Sequence, residues 1–198
     1  MQRFKDHSWS TDTAQPFQLV ENYLSTNSAN RLLEHCLMEI PWQNEHVQMF
    51  GKVHVAPRLS CSIAQDGLVY RYKGSQGQTI PFTIELEDIR KQLAEDFQTG
   101  FNFVLANYYR NGNDYVGWHR DNERDLLHRG TIVSLSLGAS RTFRFRDRTS
   151  HRTASMLLSH GDLLLMNGDC QERFDHTLAR TRRAVGERVS LSFRRVLN

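Results

Sequence analysis

His119, Asp121 and His176, followed by Arg188 and Arg194, are the residues of this chain whose types and spacing could do oxidative chemistry. Two imidazoles and one carboxylate are the ligand set of a non-haem Fe(II) centre, which leaves coordination positions open for a co-substrate and O2. The stretches that carry them, NFVLANYY, WHRD, FDHTL and GERVSLSFRRV, read as β-strands. Residues i and i+2 of a strand face the same way, so His119 and Asp121 are expected to reach one metal together, with His176 closing the triangle from another strand. The last strand obeys the same parity. Arg188, Ser190, Ser192 and Arg194 project to one face, and Val189, Leu191 and Phe193 to the other. A guanidinium aimed into a barrel needs an anion, and its fork matches a carboxylate bidentately. The pattern points to a metal with a small carboxylate ligand beside it, as in a dioxygenase.

A Ser-His-Asp hydrolase is the competing chemistry, because Ser134, Ser136, Ser190 and Ser192 all lie on candidate strands. No G-x-S-x-G elbow is present, which disfavours it. A lone His-x-Asp is a weak signal; here it is joined by a later strand histidine and by arginines 12 and 18 positions after that histidine. His35, His46, His128 and His151 have no such company and are expected at the surface.

The elements that must position these residues follow from periodicity. Ser25 to Ile40 reads as a helix with Ser/Asn caps, with Leu32, Leu33, Cys36, Leu37 and Ile40 on one face and Pro41 as its stop. Thr83 to Gln98 reads as a second, with Leu86, Ile89, Leu93 and Phe97 at helical spacing and Gly100 expected as the C-terminal cap. From residue 101 onward short strands alternate with Gly/Asn turns, the signature of a sandwich or jelly roll. The expected fold is therefore α+β: a double-stranded β-helix core over about residues 101–198, supported by the N-terminal helices of about residues 1–100, the whole forming one domain.

The 198 residues carry a formal net charge of only +3, but unevenly. Residues 1–100 hold 9 Lys+Arg against 12 Asp+Glu; residues 101–198 hold 16 against 10, and all 16 are arginines. A solvated basic surface and a phosphate-contacting rim both fit this imbalance. The densest run, RTFRFRDRTSHR (141–152), reads as an edge strand with Phe and Arg alternating. No apolar run approaches the roughly 18 residues of a membrane span, and MQRFKDHSWSTDTAQP lacks the apolar stretch of a signal peptide. Cys36, Cys61 and Cys170 are odd in number and widely spaced, as suits a reducing compartment. The expectation is a monomer without membrane association, in the cytoplasm of a bacterium or the nucleus of a eukaryote, with the cytoplasm preferred.

The segments NYYRNGNDYVGWHRDNERDL, IVSLSLGASRTFRFR, LSHGDLLLMNGDCQERFDHTL and RVSLSFR together resemble the AlkB family of alkylation-repair dioxygenases, nearest to the branch acting on double-stranded DNA. The resemblance covers nearly all of residues 47–195. It implies a double-stranded β-helix enzyme using Fe(II), with 2-oxoglutarate and O2 as co-substrates, that removes methyl groups oxidatively from 1-methyladenine and 3-methylcytosine in DNA. It puts the iron ligands on His119, Asp121 and His176. The 2-oxoglutarate contacts fall on Asn107, Tyr109, Arg188, Ser192 and Arg194, with Arg194 at the metal end and Arg188 and Tyr109 at the distal carboxylate. It also implies a nucleotide-recognition lid over Phe50-Gly51-Lys52, Arg58 and GLVYRYKG (67–74). Phe50 would be the wedge that fills the place of an extruded base, and Tyr70 and Tyr72 would stack on that base opposite His119. Asn122 and Glu123 would contact its edge. The same chemistry on RNA or on a non-nucleic-acid substrate, and a damage sensor without turnover, remain alternatives.

Three departures from the family pattern stand out. The closing R-x-N-x-T-x-R reads R-V-S-L-S-F-R, so Ser190 replaces an amide. The acidic pair after the iron-binding Asp reads Asn122-Glu123. The Pro expected after His176 gives way to Ala179-Arg180-Thr181-Arg182-Arg183, expected to be a mobile basic loop.

Overall fold

The computed structural model describes residues 16–49, 51–68, 71–72, 75–76 and 79–197. In chain order its elements are β1 (Phe17–Val20), α1 (Thr26–Glu39), β2 (Gln43–Met49), β3 (Lys52–Ala64), β4 (Arg71–Tyr72), β5 (Ser75–Gln76), β6 (Thr79–Ile80) and α2 (Ile84–Phe97). There follow β7 (Phe103–Tyr109), β8 (Val116–His119), β9 (Ile132–Gly138), β10 (Arg141–Asp147), β11 (Thr153–Leu158), β12 (Leu163–Met166), α3 (Cys170–Arg173), β13 (Phe174–Leu178) and β14 (Arg188–Arg194).

Both long helices form where the periodicity places them. The Ser25 side chain accepts a hydrogen bond from the Ser28 amide at the start of α1, and Thr83 does the same for Leu86 at the start of α2. Each supplies an acceptor to a first-turn N–H that has no partner inside the helix. Ile40 leaves α1 in extended conformation, as a residue before proline must. The end of α2 differs from expectation. Gln98, not Gly100, takes the left-handed position, at φ 50° and ψ 40°, so the chain turns two residues early. His35 also departs from its expected surface place: it hydrogen-bonds Thr83 Oγ1 at 2.8 Å and so ties α1 to the cap of α2.

From β7 onward the chain shuttles between two antiparallel sheets. Strands β7, β9, β12 and β14 enter the larger sheet, and β8, β10, β11 and β13 the smaller, whose order is β11-β10-β13-β8. This is the double-stranded β-helix expected from the sequence. The larger sheet runs β1-β12-β9-β14-β7-β3-β2, with β6 beside β3. The N-terminal strands thus extend the larger sheet of the core at both ends.

Strand β14 lies at the middle of that sheet, between β9 and β7. Its Val189, Leu191 and Phe193 are wholly buried in the main apolar cluster with Leu135 of β9, Ala106 of β7 and Leu86 and Leu93 of α2. A second cluster, including Phe17, Phe143, Leu164 and Phe174, fills part of the space between the sheets. One glycine is required by the turn out of β9. Gly138 has φ +88°, and a Cβ there would lie 2.4 Å from the Glu187 carbonyl oxygen.

Two expectations about the basic half are corrected. The run 141–147 is not an edge strand: β10 lies between β11 and β13, because its alternating Phe143 and Phe145 pack toward the inter-sheet cluster. Arg141 points inward, 3% exposed, and donates to the carbonyls of Asn111, Asp114 and Ala179; it clamps two loops instead of joining a basic rim. The 179–183 segment packs against the 111–114 turn. Thr181 N donates to Gly112 O at 2.9 Å and Arg180 to Asn113 Oδ1 at 2.7 Å.

The two faces of β14 should separate in stability measurements. Leu191→Ala, which opens a cavity in the apolar cluster, is expected to cost about 2–5 kcal/mol in urea unfolding. Ser190→Ala on the opposite face removes one hydroxyl contact and is expected to cost no more than about 1.5 kcal/mol. Equal losses would contradict this division.

Candidate active site

His119 and His176 are direct cross-strand partners in the β8–β13 ladder. That register puts both imidazoles on one face, with ring centroids 4.3 Å apart. Asp121 completes the group, and the ligand atoms of all three lie within 4.8 Å of one another. Its Oδ1 is 3.8 Å from His119 Nε2, and its Oδ2 is 4.0 Å from His176 Nε2.

Strand parity does not explain the position of Asp121. Strand β8 ends at His119, where its ladder with β13 stops, and Asp121 lies in the loop beyond. Its amide donates instead to Gln171 Oε1 at 2.9 Å, so a side chain from α3 holds the loop in place. Sequence reasoning missed Gln171, and no spacing signal marks it. Phe143 was missed as well; it stacks on His176 with centroids 5.4 Å apart and 30° between the rings.

The protonation states suit a cation. The His119 Nδ1 lies 2.8 Å from Gly117 O, and only an N–H can bond a carbonyl, so the Nε2 lone pair is turned toward Asp121. Burial pushes the His176 imidazole down to about 3, helped by neighbouring His119. Burial likewise lowers His119. Burial alone would raise the Asp121 carboxyl, but Arg194 and the two imidazoles more than offset this and hold it below the usual carboxylate range. Two neutral imidazoles and one carboxylate therefore converge at neutral pH, which is the donor set that suits Fe(II) with positions left open.

The triad forms one end of a cavity between the sheets. Arg188, Ser190, Ser192 and Arg194 of β14 line it, as do Asn107 and Tyr109 of β7, so the parity expected for both strands is observed. Arg194 sits at the triad, its Nη2 3.0 Å from Asp121 Oδ1. Arg188 lies six residues along the strand, 5.4 Å from the Tyr109 ring centroid. It is 2% exposed, donates to Ser136 Oγ at 2.9 Å, and its buried Nε has no acceptor. Burial pushes this guanidinium down to about 10. A desolvated cation with an idle N–H is a receptor for an anion, so the far end of the cavity fits a carboxylate and the near end a metal.

The serines are committed elsewhere than to hydrolysis. Ser134 Oγ lies 3.0 Å from Ser190 Oγ and 3.2 Å from Ser192 Oγ, and Ser136 accepts from Arg188. None of the four bonds a histidine, so no nucleophile–base pair forms. The inward place of Ser134 in the cavity wall and of Ser136 behind Arg188 is legible in IVSLSLG, which alternates polar and apolar as RVSLSFR does.

The expected substrate contacts are less concentrated. Gly51 and Lys52 are exposed at the start of β3, Gly51 with φ +74°. Asn122 is exposed, and Glu123 has Oε2 3.9 Å from Arg194 Nη1. Arg58 is buried and lines the cavity. Phe50 and Tyr70 lie outside the described residues, as does the side chain of Tyr72, whose backbone pairs with Ser75. Among the described residues no helix is long and apolar enough to cross a membrane.

Comparison with known proteins agrees with this geometry. Residues 16–194 match the model of the 2OG-Fe(II) oxygenase superfamily. The chain is 38% identical over 159 residues to "DNA oxidative demethylase ALKBH2" of Mus musculus, covering 76% of this chain and 66% of that protein. It is 36% identical to the Homo sapiens protein of the same name, covering 76% and 61%. It is 29% identical over 188 residues to "Alpha-ketoglutarate-dependent dioxygenase alkB homolog 3" of Mus musculus, covering 90% and 65%. The match thus spans about two thirds or less of the length of these relatives. Among solved structures, "The structure of OsALKBH1" superposes with a TM-score of 0.62 at 18% identity, covering 91% of this chain and 98% of that one, a likeness of fold. Family membership implies Fe(II) and 2-oxoglutarate with O2, and the cavity described above has the donor set and the cationic lining to take them. The chain belongs to the 2OG-Fe(II) oxygenase superfamily and, within it, is an AlkB-family dioxygenase.

Proposed function

We propose that this chain, as one domain, is an oxidative demethylase of N-alkylated DNA bases, 1-methyladenine and 3-methylcytosine, working by direct reversal. The observation that carries the proposal is the cavity with a His-Asp-His cluster at one end and a desolvated, anion-seeking Arg188 at the other. Relatives that are 36–38% identical are named DNA oxidative demethylases, which supports DNA as the substrate.

In this reading His119, Asp121 and His176 hold Fe(II). Asp121 supplies the negative charge, and the two imidazoles supply neutral Nε2 lone pairs. Bound there, the iron with 2-oxoglutarate and O2 supplies the oxidising power for hydroxylating an N-methyl carbon, the co-substrate leaving as succinate and CO2. A hydroxymethyl group on a ring nitrogen then departs as formaldehyde and restores the base. The protein's part is binding, orientation and exclusion of water. Arg188, with Tyr109 beside it, holds the distal carboxylate of 2-oxoglutarate, and Arg194, Ser192 and Asn107 hold the end nearest the metal.

A methyl on the pairing edge weakens the base pair and makes extrusion less costly. Phe50 acts as the wedge in a lid formed by residues 50–52 and 67–74; Tyr70 and Tyr72 stack on the extruded base, and Asn122 and Glu123 read its edge. Gly51 and Lys52 contact the backbone, and exposed arginines such as Arg182 and Arg183 add phosphate contacts. The three cysteines are unpaired thiols, as suits the cytoplasm or nucleus.

Formaldehyde release from a duplex carrying 1-methyladenine, dependent on added Fe(II) and 2-oxoglutarate, is the expected signature. His176→Ala should abolish it; release by the variant at the wild-type rate would remove His176 from the site. Gln171→Ala should weaken Mn(II) binding about 10-fold or more, because outer partners that orient a metal ligand commonly contribute that much. Thermal stability should change little, and an unaltered Mn(II) affinity would mean that Asp121 needs no such hold.

A further inference from the structure

Arg58 is the cavity residue whose place the sequence least anticipated. Ser60 of β3 pairs with Asn107 of β7, so Arg58, two residues before Ser60, projects to the same face. It is 6% exposed, and its hydrogen bonds are directed within the fold. Nη2 donates to Glu45 Oε2 of β2 at 2.6 Å, and Nε donates to Asn107 Oδ1 at 2.8 Å.

The second bond has a stereochemical consequence. A guanidinium has only donors, so the Asn107 atom facing it must be the amide oxygen. The amide nitrogen is turned away from Arg58, and it makes no hydrogen bond to the described residues. Asn107 is itself 8% exposed and lines the cavity with His119, Asp121 and Arg194. An NH2 group aimed into that space offers hydrogen bonds to an anion; the amide turned over would offer its oxygen and repel one. Glu45 fixes the guanidinium from behind and neutralises it, so the arrangement adds no unpaired cation to the interior.

We propose that Arg58 is a positioning residue for the co-substrate: it locks the Asn107 amide in the one orientation that donates to a carboxylate oxygen of 2-oxoglutarate. This inference rests on the co-substrate reading above. It moves Arg58 from the nucleic-acid side of the site, where the family resemblance put it, to the co-substrate side. It also ties the β2–β3 ribbon, which carries the lid residues at its tip, to the wall of the cavity through one side chain.

The test titrates 2-oxoglutarate calorimetrically into the full chain loaded with Mn(II). Arg58→Met and Asn107→Ala should each raise the Kd for 2-oxoglutarate about 10-fold, the loss expected for one hydrogen bond to a charged group. The double variant should be no worse than either single, because the two side chains act as a unit. Mn(II) affinity measured without 2-oxoglutarate should stay at the wild-type value. Glu45→Gln, a milder change, should raise the Kd about 3-fold by loosening the guanidinium, and it decides the matter if Arg58→Met does not fold. An unchanged Kd in Arg58→Met or in Glu45→Gln would overturn the proposal. So would a double-variant loss equal to the product of the singles, or a parallel fall in Mn(II) affinity. Failure of the wild-type protein to take up 2-oxoglutarate would instead sink the co-substrate reading itself.

Discussion

A strand at the centre of a sheet has no edge through which a charge can reach water, and β14 carries Arg188 and Arg194 in that position, 2% and 3% exposed. Removing a cation from water costs several kcal/mol even after the surroundings relax, so the fold tolerates these two only because the space in front of them is polar. Arg194 has Asp121 within 3.0 Å. Arg188 has a serine hydroxyl, the face of Tyr109, and an N–H without an acceptor. The cavity is therefore polarised along its length, with a carboxylate and two imidazoles at one end and an unsatisfied guanidinium at the other. A small dicarboxylate next to a divalent cation answers both demands.

The other face of the same strand makes this arrangement rigid. Val189, Leu191 and Phe193 are anchored in the main apolar cluster, which fixes the register of β14 against β7 and β9. That register fixes which residues share the cavity: Tyr109 lies opposite Arg188, Asn107 opposite Ser190 and Ser134 opposite Ser192. A slip of one residue would turn the arginines into the apolar layer and the valine, leucine and phenylalanine into the cavity. The Ser190–Ser134–Ser192 hydroxyl chain then satisfies the polar atoms between the two arginines, where the family pattern places an amide and a threonine at the β14 positions.

Much of this was legible in the sequence because it follows from period-two and period-3.6 patterns. The two faces of RVSLSFR, the shared face of Asn107 and Tyr109, and both long helices, the first with its Ser cap, come from such patterns. What escaped depends on where strands stop and on contacts distant in the chain. Asp121 reaches the triad from a loop held by Gln171, 50 residues away, and the His119–His176 pairing is a matter of register that spacing alone does not give. Arg141 reads as part of an exposed basic run and Arg58 as a residue of the lid, yet both are buried because carbonyls or an ion pair receive them. The same blindness made 141–147 look like an edge: its alternating Phe and Arg fit any strand with one solvated face, and only the placing of β11 and β13 on either side decides the matter.

Absorption spectroscopy under anaerobic conditions tests the central claim most directly. Fe(II) and 2-oxoglutarate are added separately and then together, and the visible region is watched for a metal-to-ligand charge-transfer band. If the triad and the arginines hold the two side by side, the band appears only when both are present. It weakens in Arg188→Met at equal 2-oxoglutarate and recovers as more is added. A spectrum unchanged by the pair in the wild-type protein, or a band indifferent to Arg188, would contradict the account.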